Sequence, residues 1–551
     1  MMSLASRIEE SAGRGGAVTF MSGDDAERVT WAQLLDEARS MAAVMQARGV
    51  TPGDHVALLG PTSRDLVTAI AAVWMAGATI VVMPIPMRMA SLEEFIAATR
   101  RRLVRADVSL FAIDPELAPF VEPQPGDPPM IRFDELRLEG QRVGPDRLDR
   151  PADDPDRLAI LQFTSGSTSD PKGVALPHRA VAANLDGIAA AAELDPDDDV
   201  LVSWLPLYHD MGLVGLLTLP MTTGTDLVLG APQDFMASPL RWMRWLSEFG
   251  GTATAGPNFS YVLATRALKR ASGLDLSRLR IALNGAEPVD PDAVEAFIAA
   301  AQPHGMRPGA VFPAFGMAEV AIAGTFPPPL AGLRTDLVDL RVLESERFAA
   351  PVDDPSADGV RRLVKLGQPV QGLEIRIVEP TSGVVLAERE VGELEIRGTS
   401  VCNGYYGDMT ATEALFHDEW LRTGDLAYTV DGELVMCGRI KDVIIVGGRN
   451  VFPEDIERAV SEVDGVRAGN VIAFGIEGRN HKEAIVVVAE TKLADTAELH
   501  HTINEHVRAV VGVPAKDIVL VPPSTLPKTS SGKLQRSLCR DRYLGTELQR
   551  V

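Results

Sequence analysis

Two kinds of apolar run alternate along the chain. Short continuous runs such as His55–Leu59 and Leu158–Phe163 read as buried strands, and residues 177–192, apolar at helical spacing, read as a helix. That alternation predicts α/β layers with largely parallel sheets. Thr30 followed by Gln33 forms a capping box ahead of a helix that Gly49 ends. Residues 66–87 carry no charge and approach the length a bilayer demands. Gly77, the β-branched run at 79–82, Pro84 and Pro86 break the pattern. The stretch therefore reads as a buried helix, a Gly stop and a buried strand, with no membrane span.

The texture changes further on. Residues 374–378 and 392–397 read as short strands, and Asp431-Gly432 as a hairpin turn between two more, which predicts a β-rich subdomain over about 366–438. Beyond Arg439, residues 443–446 form a short apolar strand and Gly447-Gly448 a turn. Pro453 then opens a helix whose N-terminal dipole is met by Glu454, Asp455 and Glu457. The rest suits a compact α+β domain, and residues 350–358 read as a polar loop.

Composition narrows the choice of partners. A chain of 551 residues is too long for one core, and 46% hydrophobic with 23% charged residues is ordinary for a globular enzyme. A net charge of -23 argues against nucleic acid or an anionic membrane as the main partner. Three dispersed cysteines, Cys402, Cys437 and Cys539, give neither a disulfide framework nor a metal cluster, and the N-terminus lacks the apolar core of a signal peptide. A reducing cytoplasm is the expected location.

Three segments carry candidate chemistry. Thr164-Ser165-Gly166-Ser167-Thr168-Ser169-Asp170-Pro171-Lys172-Gly173 follows a strand, and its small hydroxyl residues, glycines and Lys172 suit a phosphate. A polar turn would use the same residues, and the order of a Walker A loop is missing. In Thr423-Gly424-Asp425, an Asp at a strand end would accept both ribose hydroxyls, or simply cap a turn. Leu526-Pro527-Lys528-Thr529-Ser530-Ser531-Gly532-Lys533 would set a compact cation against developing negative charge, or form a solvated basic tail.

Together with Asn284-Gly285-Ala286-Glu287-Pro288, Phe315-Gly316-Met317-Ala318-Glu319, Leu421-Arg422 before Thr423, and Gly438-Arg439-Ile440-Lys441-Asp442, these segments form one ordered pattern. It resembles the adenylate-forming superfamily of acyl-CoA synthetases, peptide-synthetase adenylation domains and luciferases. The resemblance implies an α/β fold: an N-terminal adenylation domain at 1–438 with two doubly wound sheets and the β-rich subdomain, a hinge at 439–442, and a small mobile α+β C-terminal lid at 443–551. It implies ATP and Mg²⁺ as cofactors. Thr164, Ser165, Gly166, Ser167, Thr168 and Lys172 would hold the β- and γ-phosphates. Gly285, Ala286 and Glu287 would line the adenine pocket, with Phe315 flanking the ring and Gly316 and Met317 beside it. Glu319, with Thr168, would hold Mg²⁺. Asp425 would bind the ribose, Arg439 would sit near ribose and phosphate, and Lys441 would mark the hinge. Lys533 would neutralise the substrate carboxylate and the α-phosphate as they meet. Ser169 stands where Gly is usual, and Phe315 where Tyr is commoner.

Two further segments, Ser203-Trp204-Leu205-Pro206-Leu207-Tyr208-His209-Asp210-Met211-Gly212-Leu213 and Gly448-Arg449-Asn450-Val451-Phe452-Pro453-Glu454-Asp455-Ile456-Glu457, look most like the fatty-acyl-AMP ligases. These pass a fatty acyl group to the phosphopantetheine thiol of an acyl carrier protein. Residues 319–367 make a long connection where such ligases carry extra sequence. A fatty-acyl-CoA ligase is the alternative, and a non-catalytic nucleotide-binding scaffold a third reading. Trp204, Met211, Leu213, Phe259 and Met317 would line an alkyl tunnel, or be core residues. His209 would face the carboxylate or serve structure. A carrier protein would need a basic face, for which Arg100, Arg101, Arg102 and Arg105, or Arg536, Arg540 and Arg542, are candidates.

Overall fold

Residues 66–85 lie at the centre of the first layer. In the computed structural model, which describes residues 2–85, 92–164, 171–477, 483–493, 496–529 and 532–551, Ser63 accepts the Leu66 N–H to start the helix Arg64–Met75. Gly77, at φ 78°, ends the turn, and Thr79–Val82 follows as a strand buried along its whole length. Trp74 pins the helix to the sheet by donating from Nε1 to Ala159 O at 2.9 Å. Among the described residues no helix is long and apolar enough to cross a membrane.

That strand belongs to a six-stranded sheet ordered Met130–Arg132, Val108–Ile113, His55–Leu59, Thr79–Val82, Leu158–Phe163 and Gly173–Pro177. All neighbours are parallel except the last pair, which is antiparallel. A seven-stranded sheet is ordered Val311–Pro313, Ile281–Asn284, Ala253–Gly256, Val200–Ser203, Asp226–Leu229, Ala17–Ser22 and Asp25–Thr30, again with one antiparallel strand at the edge. Helices separate and cover the sheets, which is why both sets of strands read as near-continuous apolar runs. The expected α/β class with parallel sheets and a separate C-terminal domain is the fold observed. The helix expected at 177–192 spans His178–Ala191, and the Thr30–Gln33 capping box is formed.

An antiparallel sheet follows, with Leu373–Val378, Gly392–Gly398, Trp420–Val430 and Glu433–Arg439 as its main strands. Asp431 and Gly432 make the hairpin turn with φ of 54° and 74°, the left-handed pair that matches strand twist. One expectation fails here. Asp425 is not at a strand end but inside Trp420–Val430, because a register shift at Leu426/Ala427 lets pairing continue past it.

The C-terminal region has its own core. Helices Pro453–Ser461 and Ala497–Val511 pack on the strands Val466–Glu477, Glu483–Thr491 and Asp517–Val521. It meets the rest of the molecule through the 319–367 connection. There an antiparallel hairpin, Thr335–Asp339 with Val360–Val364, brackets the short helix Leu340–Glu346. Arg361 of this hairpin pairs with Asp455 at 2.9 Å, both about 5% exposed, and lies over the Phe452 ring at 4.5 Å. Glu344 accepts from Arg449 at 3.2 Å, and Asn450 donates to Glu344 O at 3.0 Å.

Candidate active site

The ends of the seven-stranded sheet, the antiparallel sheet and the C-terminal domain enclose one continuous cleft of about 2480 Å³. The sequence candidates Thr164, Lys172, His209, Gly285, Ala286, Glu287, Phe315, Gly316, Met317, Glu319, Asp425, Arg439, Lys441 and Lys533 all border it. Residues 165–169, with the departure at Ser169, lie outside the described residues.

At one end of the cleft, Thr164 N–H donates to Lys172 O at 3.0 Å, next to the antiparallel pairing of Leu158–Phe163 with Gly173–Pro177. No helix follows directly, in keeping with the missing Walker A order. The Lys172 ammonium lies over the Tyr405 ring at 4.5 Å, and the Tyr405 hydroxyl donates to Glu319 Oε1 at 2.9 Å. Burial pushes the Glu319 carboxyl above its ordinary value, and the Tyr405 bond works against that rise. Among the described residues no group of three or more metal-ligating side chains comes together. Glu319 therefore fits Mg²⁺ only as one ligand beside phosphate oxygens and water, the usual manner for that cation.

Around Ala286 and Gly316 the backbone is specialised. Ala286 adopts φ 69°, a left-handed conformation unusual for a side-chain-bearing residue. A Cβ at Gly316 would sit 2.0 Å from Ile322 O, so only glycine fits. Phe315 and Met317 flank this glycine, half-buried and facing the cleft. Across the cleft Asp425, 5% exposed, pairs with Arg439 Nε at 3.0 Å. Burial raises the Asp425 carboxyl, and Arg439 opposes the rise.

The centre is assembled from both domains. His209 Nδ1 lies 2.5 Å from Asp210 Oδ1, which also accepts the Met211 N–H at 2.8 Å. Glu287 Oε1 accepts the Phe259 N–H at 2.6 Å. Lys533 enters from the C-terminal loop within electrostatic reach of Asp210, Glu287 and Arg439. Burial pushes the Lys533 ammonium down from its ordinary value, and the two carboxylates resist that fall. Burial likewise raises the Asp210 carboxyl, but His209 and Lys533 more than reverse this and hold it low.

Sequence reading did not single out Asp210 or Tyr405. Asp210 stood inside a quoted segment, masked by its histidine neighbour; the aromatic pair Tyr405-Tyr406 after Gly404 was the available signal for the other. Of the expected tunnel residues, Met211, Phe259 and Met317 face the cleft. Trp204 and Leu213 do not. Trp204 stacks on Phe235 with centroids 3.8 Å apart, and Leu213 is fully buried in the core. The chain there is a π-helix, Met211–Thr218, in which Leu219 N–H reaches five residues back to Val214 O.

The two basic clusters are largely committed elsewhere. Arg100 pairs with Asp127, Arg105 lies 3.8 Å from Asp408, and Arg102 borders the cleft. Arg536 is enclosed by Asp442, Glu454 and Glu457, and Arg542 borders the cleft. Arg101 and Arg540 stay exposed.

Residues 8–406 match the model of the AMP-binding enzyme family, and residues 448–539 match that of the AMP-binding enzyme C-terminal domain. The chain belongs to the AMP-binding enzyme family. Its members form adenylates from ATP with Mg²⁺. Within the family, Rv1013 of Mycobacterium tuberculosis, named as a candidate ligase, is 38% identical over 521 residues, covering 93% of this chain and 94% of its own. FadD25 of the same species, named as a candidate fatty-acid–CoA ligase, is 33% identical over 558 residues, covering 95% and 93%. A solved chain from a study of fatty acyl-adenylate ligases of E. coli and L. pneumophila superposes with a TM-score of 0.91 at 30% identity, covering 99% of this chain and 98% of that one.

Proposed function

We propose that this enzyme activates a fatty acid with ATP and passes the acyl group to the phosphopantetheine thiol of an acyl carrier protein. The observation that carries the first half is Lys533, delivered from the C-terminal loop into a buried centre beside Asp210, Glu287 and Arg439. A carboxylate oxygen of the substrate attacks the α-phosphorus, the bond to the β-phosphate oxygen breaks, and pyrophosphate leaves. Two anions must approach each other, so positioned cations and not a general base do the work. Lys533 spans the substrate carboxylate and the α-phosphate, and Lys172 with the 164–172 loop takes the outgoing phosphates. Asp425 accepts the ribose hydroxyls, with Arg439 alongside, and Phe315 lies against the adenine between Gly285-Ala286-Glu287 and Gly316-Met317. Glu319 would hold Mg²⁺ carried by ATP, with Thr168 as its expected companion, and the cation would neutralise charge on the phosphates. His209 buttresses Asp210. In the second half the thiol sulfur attacks the acyl carbonyl, the acyl–phosphate bond breaks, AMP leaves and the thiol proton passes to solvent.

The domain boundaries, 1–438 and 443–551 about a hinge at 439–442, belong to the same reading, with Lys441 at the pivot. The support for transfer to a carrier protein is the 319–367 connection, whose Arg361 and Glu344 pair with Asp455 and Arg449 of the C-terminal domain. The fatty acyl-adenylate ligases named for the superposed structure support the adenylation half of the reading. A fatty-acyl-CoA ligase is the second reading, favoured by the name of FadD25. Incubation with ATP, Mg²⁺ and fatty acids of graded length, followed by CoA or holo carrier protein separately, decides between them. Acyl transfer to the carrier protein is expected; efficient acyl-CoA formation would overturn it, and absence of any adenylate would favour a non-catalytic scaffold.

A further inference from the structure

Lys533 sits on a hairpin closed by its own backbone. Thr529 N–H donates to Lys533 O at 2.8 Å and Gln535 N–H to Pro527 O at 2.9 Å, while Thr529 Oγ1 accepts the Lys533 N–H at 3.1 Å. Lys528 Nζ donates to Asn470 Oδ1 at 2.9 Å and Leu526 N–H to Glu490 Oε1 at 3.1 Å, which seats the hairpin on strands of its own domain. These bonds place Lys533 within the C-terminal domain but not against the rest of the cleft. The contact that reaches outward belongs to Arg536, three residues on and first in the helix Arg536–Leu544. Its Nη1 donates to Asp442 Oδ2 at 2.5 Å, and its Nη2 to both Glu457 oxygens at 3.0 Å and to Glu454 Oε1 at 3.3 Å.

Asp442 is tied to a second ion pair. It ends the turn Ile440–Asp442, where Val443 N–H donates to Arg439 O at 3.2 Å. Arg439, just before that turn, pairs at 3.0 Å with Asp425, its register partner on the neighbouring strand. A path of contacts therefore runs from Asp425 to Arg439, three residues along to Asp442, across to Arg536, and three residues back to Lys533. The Asp442 and Arg536 side chains are only 15% and 18% exposed, so their attraction is screened less than that of a surface pair. A guanidinium is a planar fork that holds carboxylates in fixed directions, which a lysine ammonium does not. We propose that Arg536 and Asp442 are positioning residues for adenylation. They register the Lys533 hairpin against the Asp425–Arg439 pair, and so set how closely the Lys533 ammonium meets the α-phosphate. Glu454 and Glu457, on helix Pro453–Ser461, orient the guanidinium from within its own domain.

This inference rests on the role given to Lys533 above. The test measures single-turnover pyrophosphate release by the full-length enzyme, with equilibrium ATP binding and thermal unfolding alongside. The variants are Arg536→Met, Asp442→Asn, Glu454→Gln, Lys533→Ala, and Lys533→Ala combined with each of the first two. Arg536→Met should slow adenylation by about 100-fold, the scale of a misplaced reacting group, while ATP binding stays close to wild type. Asp442→Asn keeps the side-chain shape and should slow the same step by about tenfold, which keeps the test alive should Arg536→Met not fold. Glu454→Gln leaves the Asp442 pair intact and should change the rate little. Each combined variant should be no slower than Lys533→Ala alone, because a residue that acts only through Lys533 then has nothing left to position. Losses that multiply in the combined variants, a wild-type rate in folded Arg536→Met or Asp442→Asn, or an effect of Glu454→Gln as large as that of Asp442→Asn would overturn the proposal. Normal turnover in Lys533→Ala would instead sink the role of Lys533 itself.

Discussion

Two cations cross the interface between the domains, and they are held in opposite ways. Arg361 has direct partners: it pairs with Asp455, donates to Cys437 O at 3.1 Å and lies on the Phe452 ring, with only Nη1 left without a hydrogen bond among the described residues. Lys533 is half-buried, and among the described residues its ammonium makes no hydrogen bond; it feels Asp210 and Glu287 only through their field. A charge partly withdrawn from water without a direct partner is costly, and such groups gather where function needs them. Arg361 is thus a fastener, and Lys533 a cation set to meet an anion.

The sharpest way to break this contrast is at Lys533. Lys533→Ala should lower adenylate formation by about a thousandfold or more, the scale of a lost transition-state donor, while ATP binding largely persists. Pyrophosphate release and equilibrium nucleotide binding measure the two separately, and normal turnover would remove Lys533 from its role. Arg361→Ala should act on structure instead. Stranding the Asp455 carboxylate is expected to loosen the C-terminal domain by about 3–5 kcal/mol, visible as faster proteolysis between the domains. A variant as resistant as wild type would show that the fastener lies elsewhere.

Tyr405→Phe removes one bond to the Glu319 carboxylate, worth about 1.5–3 kcal/mol. The Mg²⁺ concentration needed for half-maximal adenylation should rise, with the fold intact. A further prediction concerns pH. Burial raises the Glu344 carboxyl from 4.5 to about 7, against the pull of Arg449. A group whose folded value is raised contributes stability that is complete below its unfolded value and lost as pH climbs through the folded one. Thermal unfolding of wild type should therefore weaken between pH 4.5 and 7 more than that of Glu344→Gln, and parallel curves would refute the assignment.

Much of this was legible in the chain. The uncharged stretch at 66–87, the Asp431-Gly432 turn and the Pro453 helix start each carry a local cause, so their conformation follows from residues a few positions apart. The ordered motifs are short local runs too, and the described residues they singled out border one cleft. Asp210 and Tyr405 were not, since their importance arises from what approaches them: Lys533 from another domain and Glu319 from 86 positions away. The two misplaced tunnel residues have a similar origin. Trp204 and Leu213 are apolar and close in sequence to the site, but apolarity does not say which side of a wall a side chain takes, and here the coil itself is altered.

That coil, the π-helix Met211–Thr218, turns one cleft wall into a matter of counting. Each residue of an ordinary helix advances about 100° around the axis, so a widened turn stores one residue in excess. Met211, Gly215, Leu216 and Leu219 border the cleft in that wider winding. Removing any one residue would restore ordinary winding and swing the side chains beyond it toward different neighbours. Substitution can tune this wall, but only a change in length can close it.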